Sequence, residues 1–293
     1  MTSLKYKFKG HEKFVLRDGW VNKGITLVNE DSKIFQNKNA AVLLGVGNNM
    51  VKSIRYWLKA MKLTKESSKY GTTLTELGRI ILKYDRYLED DFTLWLLHIN
   101  LVRNREMATA WNLFFNKCDI LELNRKEIVD ILKSEINREY IGIKYSESSI
   151  KDDVDVLLNM YSKPREKNFD PEDNKISPLA ELELIKINKD RYSKVQPDMK
   201  KISALIILYT ILLLKKSEKT LSLENIFNGN DGEIGVGNLF NLNKNLVNLY
   251  LDKLENLKYL KVTRTARLDY ILFDKEISLE EVIREYYNNR RGV

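Results

Sequence analysis

Cysteine, histidine and proline are scarce in this 293-residue sequence. Cys118 is the single cysteine, so an internal disulfide is excluded and a reducing, cytoplasmic setting is expected. The only two histidines are His11 and His98, whereas a metal centre needs three or four ligands at a fixed geometry. The four prolines all lie between Pro164 and Pro197, so this stretch is the best candidate for a boundary between domains.

Long hydrophobic runs are also lacking. The longest one, over residues 202–214, is too short to span a bilayer and is typical of a buried helix. The N-terminal residues lack the apolar core of a signal peptide. We therefore expect a soluble, cytoplasmic protein without a membrane partner.

Positive charge exceeds negative charge in the composition. The chain has 49 Lys and Arg residues against 41 Asp and Glu residues, which gives a formal net charge of +8 and an isoelectric point near 9.2. This excess favours anionic partners such as nucleic acid. Charged residues of both signs make up 31% of the chain, so much of this charge belongs to ordinary surface and composition alone does not decide the function.

The most informative segment covers residues 40–82, where the pattern is a short helix, a glycine turn, a second helix and a hairpin. Gly45 and Gly47 allow the sharp turn, and Asn48 or Asn49 is expected to cap the second helix. Apolar residues recur at helical spacing and are expected to face the core: Val51, Ile54, Leu58 and Met61. The order of these elements predicts a winged helix-turn-helix.

The same periodicity turns a polar, basic face outward. We expect this face to contact DNA through Asn49, Lys52, Ser53, Arg55, Tyr56 and Lys59. The hairpin would form the wing and grip the backbone through Lys65, Lys69 and Tyr70. After it, Thr73 and Glu76 are expected to form a capping box that opens another helix.

A weaker version of this pattern recurs near the C-terminus. A helix with Leu246, Tyr250, Leu254 and Leu257 on one face precedes two alternating strands at 259–263 and 268–273. Its expected DNA contacts are Lys244, Asn245 and Asn248 on the helix and Arg264 and Arg267 on the wing. The glycine-rich loop before it lacks the Lys-Ser/Thr pair of a phosphate-binding loop and is interpreted as a turn.

Between the two modules we predict helices over residues 86–104, 106–117, 125–138 and 149–162, the third of them capped by Asn124 and Glu127. The predicted fold is mainly α, with winged helix-turn-helix modules near both ends joined by an all-helical middle and with small β wings. The expected segments are an N-terminal arm and winged helix (1–85), the helical middle (86–163), a linker with short elements (164–197) and a C-terminal winged-helix-like domain (198–293).

Two groups of residues are candidates for catalysis. The adjacent pair His11 and Glu12 lacks the spacing of a zinc-binding helix, and a structural role for His11 beside a carboxylate is the simpler interpretation. The acidic run at 85–91 resembles a nuclease cluster, but Glu89, Asp90 and Asp91 also suit the first turn of a helix. We expect no catalytic residue, no metal and no cofactor.

The chain also resembles a known family along most of its length, in collinear order. The resemblance lies in FKGHEKFVLRDGWVNKG, GVGNNMVKSIRYWLKA, DRYLEDDFTLWLLHINLVRNREMATAWNLFFN, SSIKDDVDVLLNMYS and the later PLAEL. These segments resemble the domain-of-unknown-function family 4007 (DUF4007). Members of that family are associated with bacterial DNA phosphorothioation and anti-phage gene clusters, so the resemblance implies a role in DNA modification or defence.

The leading hypothesis is a DNA-binding accessory or regulatory component of a phosphorothioation-linked defence system that binds double-stranded DNA through its winged helices. One variant is a repressor of its own gene cluster. The alternatives are a protein adaptor for sulfur-transfer or effector subunits and a metal-dependent nuclease.

Overall fold

A computed structural model describes residues 5–118, 121–163, 176–216, 218–230, 232–264 and 269–291. Helices account for 56% of the described residues, which confirms the mainly helical class, and the remaining regular structure forms small antiparallel sheets. The chain divides into two compact units, Met1–Val195 and Gln196–Val293. Among the helices that the structure describes, none combines the length and apolar character that crossing a membrane requires.

The N-terminal unit contains eight α-helices and five strands within its described residues. The helices are α1 (Trp20–Glu30), α2 (Ala40–Leu44), α3 (Asn48–Ala60), α4 (Glu76–Tyr84), α5 (Asp91–Arg103), α6 (Thr109–Lys117), α7 (Arg125–Glu139) and α8 (Glu147–Tyr161). The strands are β1 (Thr64–Ser67), β2 (Gly71–Leu74), β3 (Leu123–Asn124), β4 (Ile185–Asn188) and β5 (Arg191–Lys194). Residues 5–19, which precede α1, are called the N-terminal arm below.

The turn between α2 and α3 is made by glycine, as expected, but the cap of α3 is not made by asparagine. Gly45 ends α2 with a φ of +64°, a conformation that glycine adopts without steric cost. Gly47 precedes α3, and no side chain caps that helix. The prediction that Asn48 or Asn49 caps it is wrong because the helix begins one residue earlier than the pattern indicated, at Asn48 itself.

The hairpin after α3 pairs β1 with β2 from Thr64 opposite Leu74 to Ser67 opposite Gly71. The predicted capping box of Thr73 and Glu76 is wrong, because Thr73 lies within β2. The cap of α4 is Thr75, whose hydroxyl accepts a hydrogen bond from the amide of Gly78.

The middle of the N-terminal unit is built around two buried helices, α5 and α6. Nearly every residue of α5 is buried, and the His98 ring packs there against Trp95 of the same helix and against aromatic rings of α6 and α8. The helix begins at Asp91 instead of near residue 86 because the carboxylate of Asp90 caps it by accepting from the Phe92 amide. The predicted capping pair at the start of α7 is confirmed. The amide of Glu127 donates to the side chain of Asn124, and the amide of Asn124 donates to the carboxylate of Glu127.

The middle is not entirely helical. Strand β3 joins β5 and β4 in a three-stranded antiparallel sheet in the order β3-β5-β4. Leu123 lies opposite Tyr192, so this pairing joins the predicted helical middle to the predicted linker. A two-residue strand has no periodicity that the sequence could reveal, which explains why the pattern missed it.

The C-terminal unit has five helices and three strands within its described residues. The helices are α9 (Ala204–Lys215), α10 (Leu223–Asn228), α11 (Val236–Phe240), α12 (Lys244–Asn256) and α13 (Leu279–Arg291). The strands are β6 (Thr220–Ser222), β7 (Leu260–Arg264) and β8 (Asp269–Phe273), in the sheet order β6-β8-β7. The sequence pattern had indicated β7 and β8 but missed β6, which is only three residues long.

Candidate nucleic-acid interface

Helix α3 presents a basic side to solvent and an apolar side to the core. Lys52 and Arg55 are exposed, whereas Val51, Ile54 and Leu58 are buried, as their spacing predicted. Lys52 donates a hydrogen bond to Asn49 at 3.3 Å and so contacts an uncharged partner.

Two of the expected contact residues on α3 are turned inward instead. Ser53 is fully buried, and its hydroxyl has no hydrogen-bond partner among the described residues. Tyr56 is 5% exposed, and its hydroxyl donates to the carbonyl of Met107 at 2.7 Å. Burial, together with the nearby charge of Asp153, raises the pKa of Tyr56 well above its usual value. The expectation that Ser53 and Tyr56 belong to the outward face is therefore wrong.

The physical reason is that the N-terminal arm packs on α3 beside Tyr56. Gly10 of the arm lies so close to the Tyr56 ring that an added Cβ atom would come within 2.4 Å of it. The arm also supplies the carbonyl of Phe14, which accepts a hydrogen bond from the indole of Trp57. The arm therefore buries a second side of α3, which the spacing of apolar residues along the helix does not predict.

The remaining cations of α3 are paired with a carboxylate of the hairpin. Glu66 of β1 accepts from Arg55 Nε at 2.6 Å and from Lys59 Nζ at 2.8 Å. Burial alone would raise the pKa of Glu66, but the hydrogen bonds and charges of Arg55 and Lys59 outweigh it and hold the pKa below its usual value. The basic face of α3 is therefore partly neutralised by the protein itself.

A cation that the motif did not include also lies at this face. The ammonium group of Lys7, in the N-terminal arm, is 5.5 Å from the centre of the Tyr56 ring. Burial lowers the pKa of Lys7, and the charges of Lys59 and Arg55 lower it further, whereas Glu66 and Glu12 act in the opposite direction. The pKa of Lys7 therefore depends on the charges of Arg55, Lys59 and Glu66, although Lys7 precedes Arg55 by 48 residues in the sequence.

The arm is held in place by a buried histidine–aspartate pair. His11 and Asp153 of α8 are almost completely buried, with 2.8 Å between Nε2 and the carboxylate. Because the amide of Lys13 donates to Nδ1 of His11, the ring proton lies on Nε2 and is donated to Asp153. Asp153 also accepts from the amide of Lys9, and the His11 ring stacks on Trp57. His11 thus has the structural role that the sequence suggested.

The expected hairpin contacts are all on the surface. Lys65, Lys69 and Tyr70 are exposed, and the ammonium group of Lys69 lies 5.1 Å from the centre of the Tyr70 ring. Among the described residues no carboxylate lies within ion-pairing distance of Lys65 or Lys69. These two charges therefore remain available to an anionic partner.

In the C-terminal unit the expected contact residues are largely paired. Lys244 lies 3.1 Å from a carboxylate oxygen of Glu224, and Arg264 lies 2.7 Å from one of Asp252. Asn248 is half-buried and accepts from Arg264 at 3.3 Å, and Asn245 is exposed. Arg267 lies outside the described residues. A cavity of about 330 Å³ is lined by Lys244, Asn248 and Glu224 together with the apolar residues Phe227, Val247 and Leu251.

The acidic run at 85–91 serves to form the start of α5. Asp85 accepts from the amides of Glu89 and Asp90, and Asp90 in turn accepts from the amide of Phe92. In the described ranges, no group of three or more His, Cys, Asp or Glu residues could hold a metal ion. The carboxylates therefore have a structural explanation as helix caps.

Comparisons with known proteins identify a family for this chain and solved structures that are similar to it. Two solved structures are similar in fold over 98% of this chain and 89% of theirs, each at 25% sequence identity: a magnesium ion-bound SspB crystal structure, with a TM-score of 0.84, and an SspB crystal structure, with a TM-score of 0.83. No curated protein matches significantly. The family model described as "Protein of unknown function (DUF4007)" matches residues 8–287. Because this match covers nearly the whole chain, the protein belongs to the DUF4007 family.

Proposed function

We propose that the protein binds double-stranded DNA as a non-enzymatic accessory or regulatory component of a phosphorothioation-linked defence system. The observation that carries this proposal is the set of exposed cations on α3 and the following hairpin. In the described part of the chain, no carboxylate lies within ion-pairing distance of Lys52 on α3 or of Lys65 and Lys69 in the hairpin. Arg55 and Lys59 lie on α3 with Lys52, but they pair with Glu66. Unneutralised cations on adjacent elements attract a polyanion.

The proposed mode of binding is that of a winged helix-turn-helix. Helix α3, which follows the glycine turn, would lie in the major groove with Asn49 and Lys52 nearest the bases or phosphates. The hairpin β1–β2 would act as the wing and contact the adjacent backbone through Lys65, Lys69 and Tyr70. The C-terminal unit would add Asn245 and the wing residue Arg264, in a weaker role, since Asp252 and Glu224 already pair with cations there.

The family supports the proposed setting. The sequence motifs resemble DUF4007, whose members are associated with DNA phosphorothioation and anti-phage gene clusters. The solved structures that are similar to this chain are of SspB. A protein that acts in such a system at the DNA backbone needs a surface of positive charge, which is what α3 and its hairpin offer.

The double variant Lys52→Ala/Arg55→Ala tests the proposal. Loss of two phosphate contacts should weaken binding to a duplex and reduce the slope of log K against log salt by about 1.8, or about 0.9 for each contact. We would measure the affinity for matched plain and phosphorothioate duplexes over a salt series, which reports the charge contribution and any preference for sulfur together.

A matched control comes from α7 of the same unit. Lys126→Ala/Arg138→Ala removes one exposed lysine and one exposed arginine and should leave the salt slope nearly unchanged. An equal slope for wild type and Lys52→Ala/Arg55→Ala, with both proteins folded, would exclude α3 as the DNA-contacting helix.

A protein adaptor is the second candidate, because α2 exposes apolar side chains. Val42 is 81% exposed and Leu43 is 53% exposed on this short helix. Neighbouring apolar side chains on a surface are typical of contacts with another protein. Co-purification with sulfur-transfer or effector subunits that is lost in Val42→Asp/Leu43→Asp, without any salt-sensitive affinity for DNA, would favour the adaptor.

A further inference from the structure

Two cations of α3 bind a single hairpin carboxylate near the N-terminal arm, and a third cation, on the arm, lies over the Tyr56 ring of the same helix. Arg55 and Lys59, one helical turn apart on α3, each donate to a different oxygen of Glu66. Lys7 reaches the same place from the arm, with its aliphatic chain beside Gly10 and its ammonium group over the Tyr56 ring. We call Lys7, Arg55, Lys59 and Glu66 the arm–helix cluster.

The arm–helix cluster holds more positive charge than Glu66 can neutralise. Three cations face one carboxylate within it, and Glu12 is the other acidic group whose charge is felt at Lys7. Burial lowers the pKa of Lys7 most, and the positive charges of Lys59 and Arg55 lower it further because like charges repel. This excess of positive charge attracts an anion to the position that Glu66 occupies.

The geometry of the donors suits a phosphate. Arg55 Nε and Lys59 Nζ converge on the two oxygens of Glu66, at 2.6 Å and 2.8 Å. A backbone phosphate offers two such oxygens with the same charge as a carboxylate, so it can accept the same pair of charge-assisted hydrogen bonds. A phosphate from solvent can reach this pair of donors and displace Glu66, because all three side chains are partly exposed. The exposed fraction is 24% for Glu66, 45% for Arg55 and 39% for Lys59.

The third cation is held in position by the fold. The amide of Lys7 donates to the hydroxyl of Thr109 at 2.9 Å, and the amide of Lys9 donates to Asp153 at 2.7 Å. The backbone on both sides of the Lys7 side chain is thus fixed to α6 and α8 before any ligand arrives. A donor that is already positioned loses less conformational entropy when it binds.

We propose that Lys7, Arg55 and Lys59 form a phosphate-binding site that Glu66 fills in the free protein and leaves when a phosphate group enters. For a DNA phosphate, this inference rests on the proposed function, and Glu66 then acts as an internal competitor for the backbone. A polyanion that makes few other contacts would not displace Glu66, because its entry breaks the two ion pairs of Glu66 with Arg55 and Lys59. A duplex that also engages Lys52 and the hairpin would displace it.

The first test measures duplex affinity over a salt series for Glu66→Gln and Lys7→Gln. Glu66→Gln should bind about fivefold more tightly at moderate salt, because exposed ion pairs of this kind contribute up to about that factor each, and its salt slope should steepen by up to about 0.9. Lys7→Gln should bind more weakly and with a shallower slope. Glu30→Gln, which removes an exposed charge from the end of α1, should show neither the change in affinity nor the change in slope.

The second test does not use DNA. The titration of the Lys7 ammonium group, followed by NMR of the lysine side chains, should move to lower pH in Glu66→Gln, because the charge of Glu66 raises the pKa of Lys7. Inorganic pyrophosphate should move it to higher pH, and more strongly in Glu66→Gln than in the wild type.

The two tests separate the possible failures. Binding of pyrophosphate without any duplex affinity would support the phosphate site and reject the proposed function. Salt-sensitive duplex binding that is identical in wild type, Glu66→Gln and Lys7→Gln would keep the proposed function and overturn the phosphate site. Failure of pyrophosphate to change the Lys7 titration in either protein would also overturn it.

Discussion

Asp153→Ala is expected to lower the free energy of unfolding of the N-terminal unit by about 2–6 kcal/mol, because two buried hydrogen-bond donors would each lose their acceptor at a cost of about 1–3 kcal/mol. The carboxylate of Asp153 is buried and accepts from both His11 Nε2 and the amide of Lys9. Alanine would leave these two donors buried without an acceptor, and each unsatisfied donor carries its full desolvation cost. The N-terminal arm would lose its main attachment to α8.

Denaturant unfolding followed by tryptophan fluorescence measures this effect. All four tryptophans lie in the N-terminal unit, and Trp57 and Trp111 contact the His11 ring directly. The control is Asp155→Ala on the same helix, where the carboxylate pairs with Arg125 and both side chains are about half exposed. Such an exposed pair contributes at most about 1 kcal/mol, so equal losses in Asp153→Ala and Asp155→Ala would contradict the structural role of the buried pair.

Gly78→Ala is expected to destabilise the same unit by about 2–3 kcal/mol, although alanine is the better helix former by about 1 kcal/mol. A Cβ atom added at Gly78 would lie 2.2 Å from the carbonyl oxygen of Leu63, where α4 crosses the end of the α3–β1 connection. The obstacle is backbone, which cannot rotate away like a side chain. The same carbonyl accepts from the amide and hydroxyl of Thr75, so a shift there would disturb the hairpin that carries Glu66.

Gly47→Ala provides the contrast. Gly47 also lies at the start of a helix, its φ is –71°, and an added Cβ atom would meet nothing within 4 Å. We expect its loss of stability to be small, and thermal unfolding of the two variants side by side measures the difference. If Gly78→Ala proved as stable as Gly47→Ala, the close approach of α4 to Leu63 would be refuted.

Features that depend on neighbours along the chain were largely predictable from the sequence. The glycine turn, the apolar side of α3, the first hairpin and the capping box at Asn124 all lie where the pattern indicated. Each depends on residues three or four positions apart, or on a short turn, so the sequence contains the necessary information locally. The capping errors at Asn48 and Thr73 are shifts of one or two residues in the same local features.

The candidate interface was predictable only in part, because charge pairing and burial depend on residues that are distant in sequence. The outward direction of Lys52 followed from the helical period. The burial of Tyr56 depends on the N-terminal arm, and the neutralisation of Arg55 and Lys59 depends on the register of a hairpin that returns Glu66 to α3. The contribution of Lys7 depends on contacts of the arm with α6 and α8, more than a hundred residues away.

The sequence by itself determined the family, through motifs that match over nearly the whole chain. It also determined the mainly helical class and the helix–turn–helix–hairpin order, because local backbone preferences and side-chain periodicity fix those features. Only the tertiary structure decided which basic side chains remain available to an anion. That choice depends on which carboxylates and which chain segments are brought against α3. Electrostatic attraction acts through space, and the fold brings Glu66 of the hairpin and Lys7 of the arm to the same helix although they are far apart along the chain.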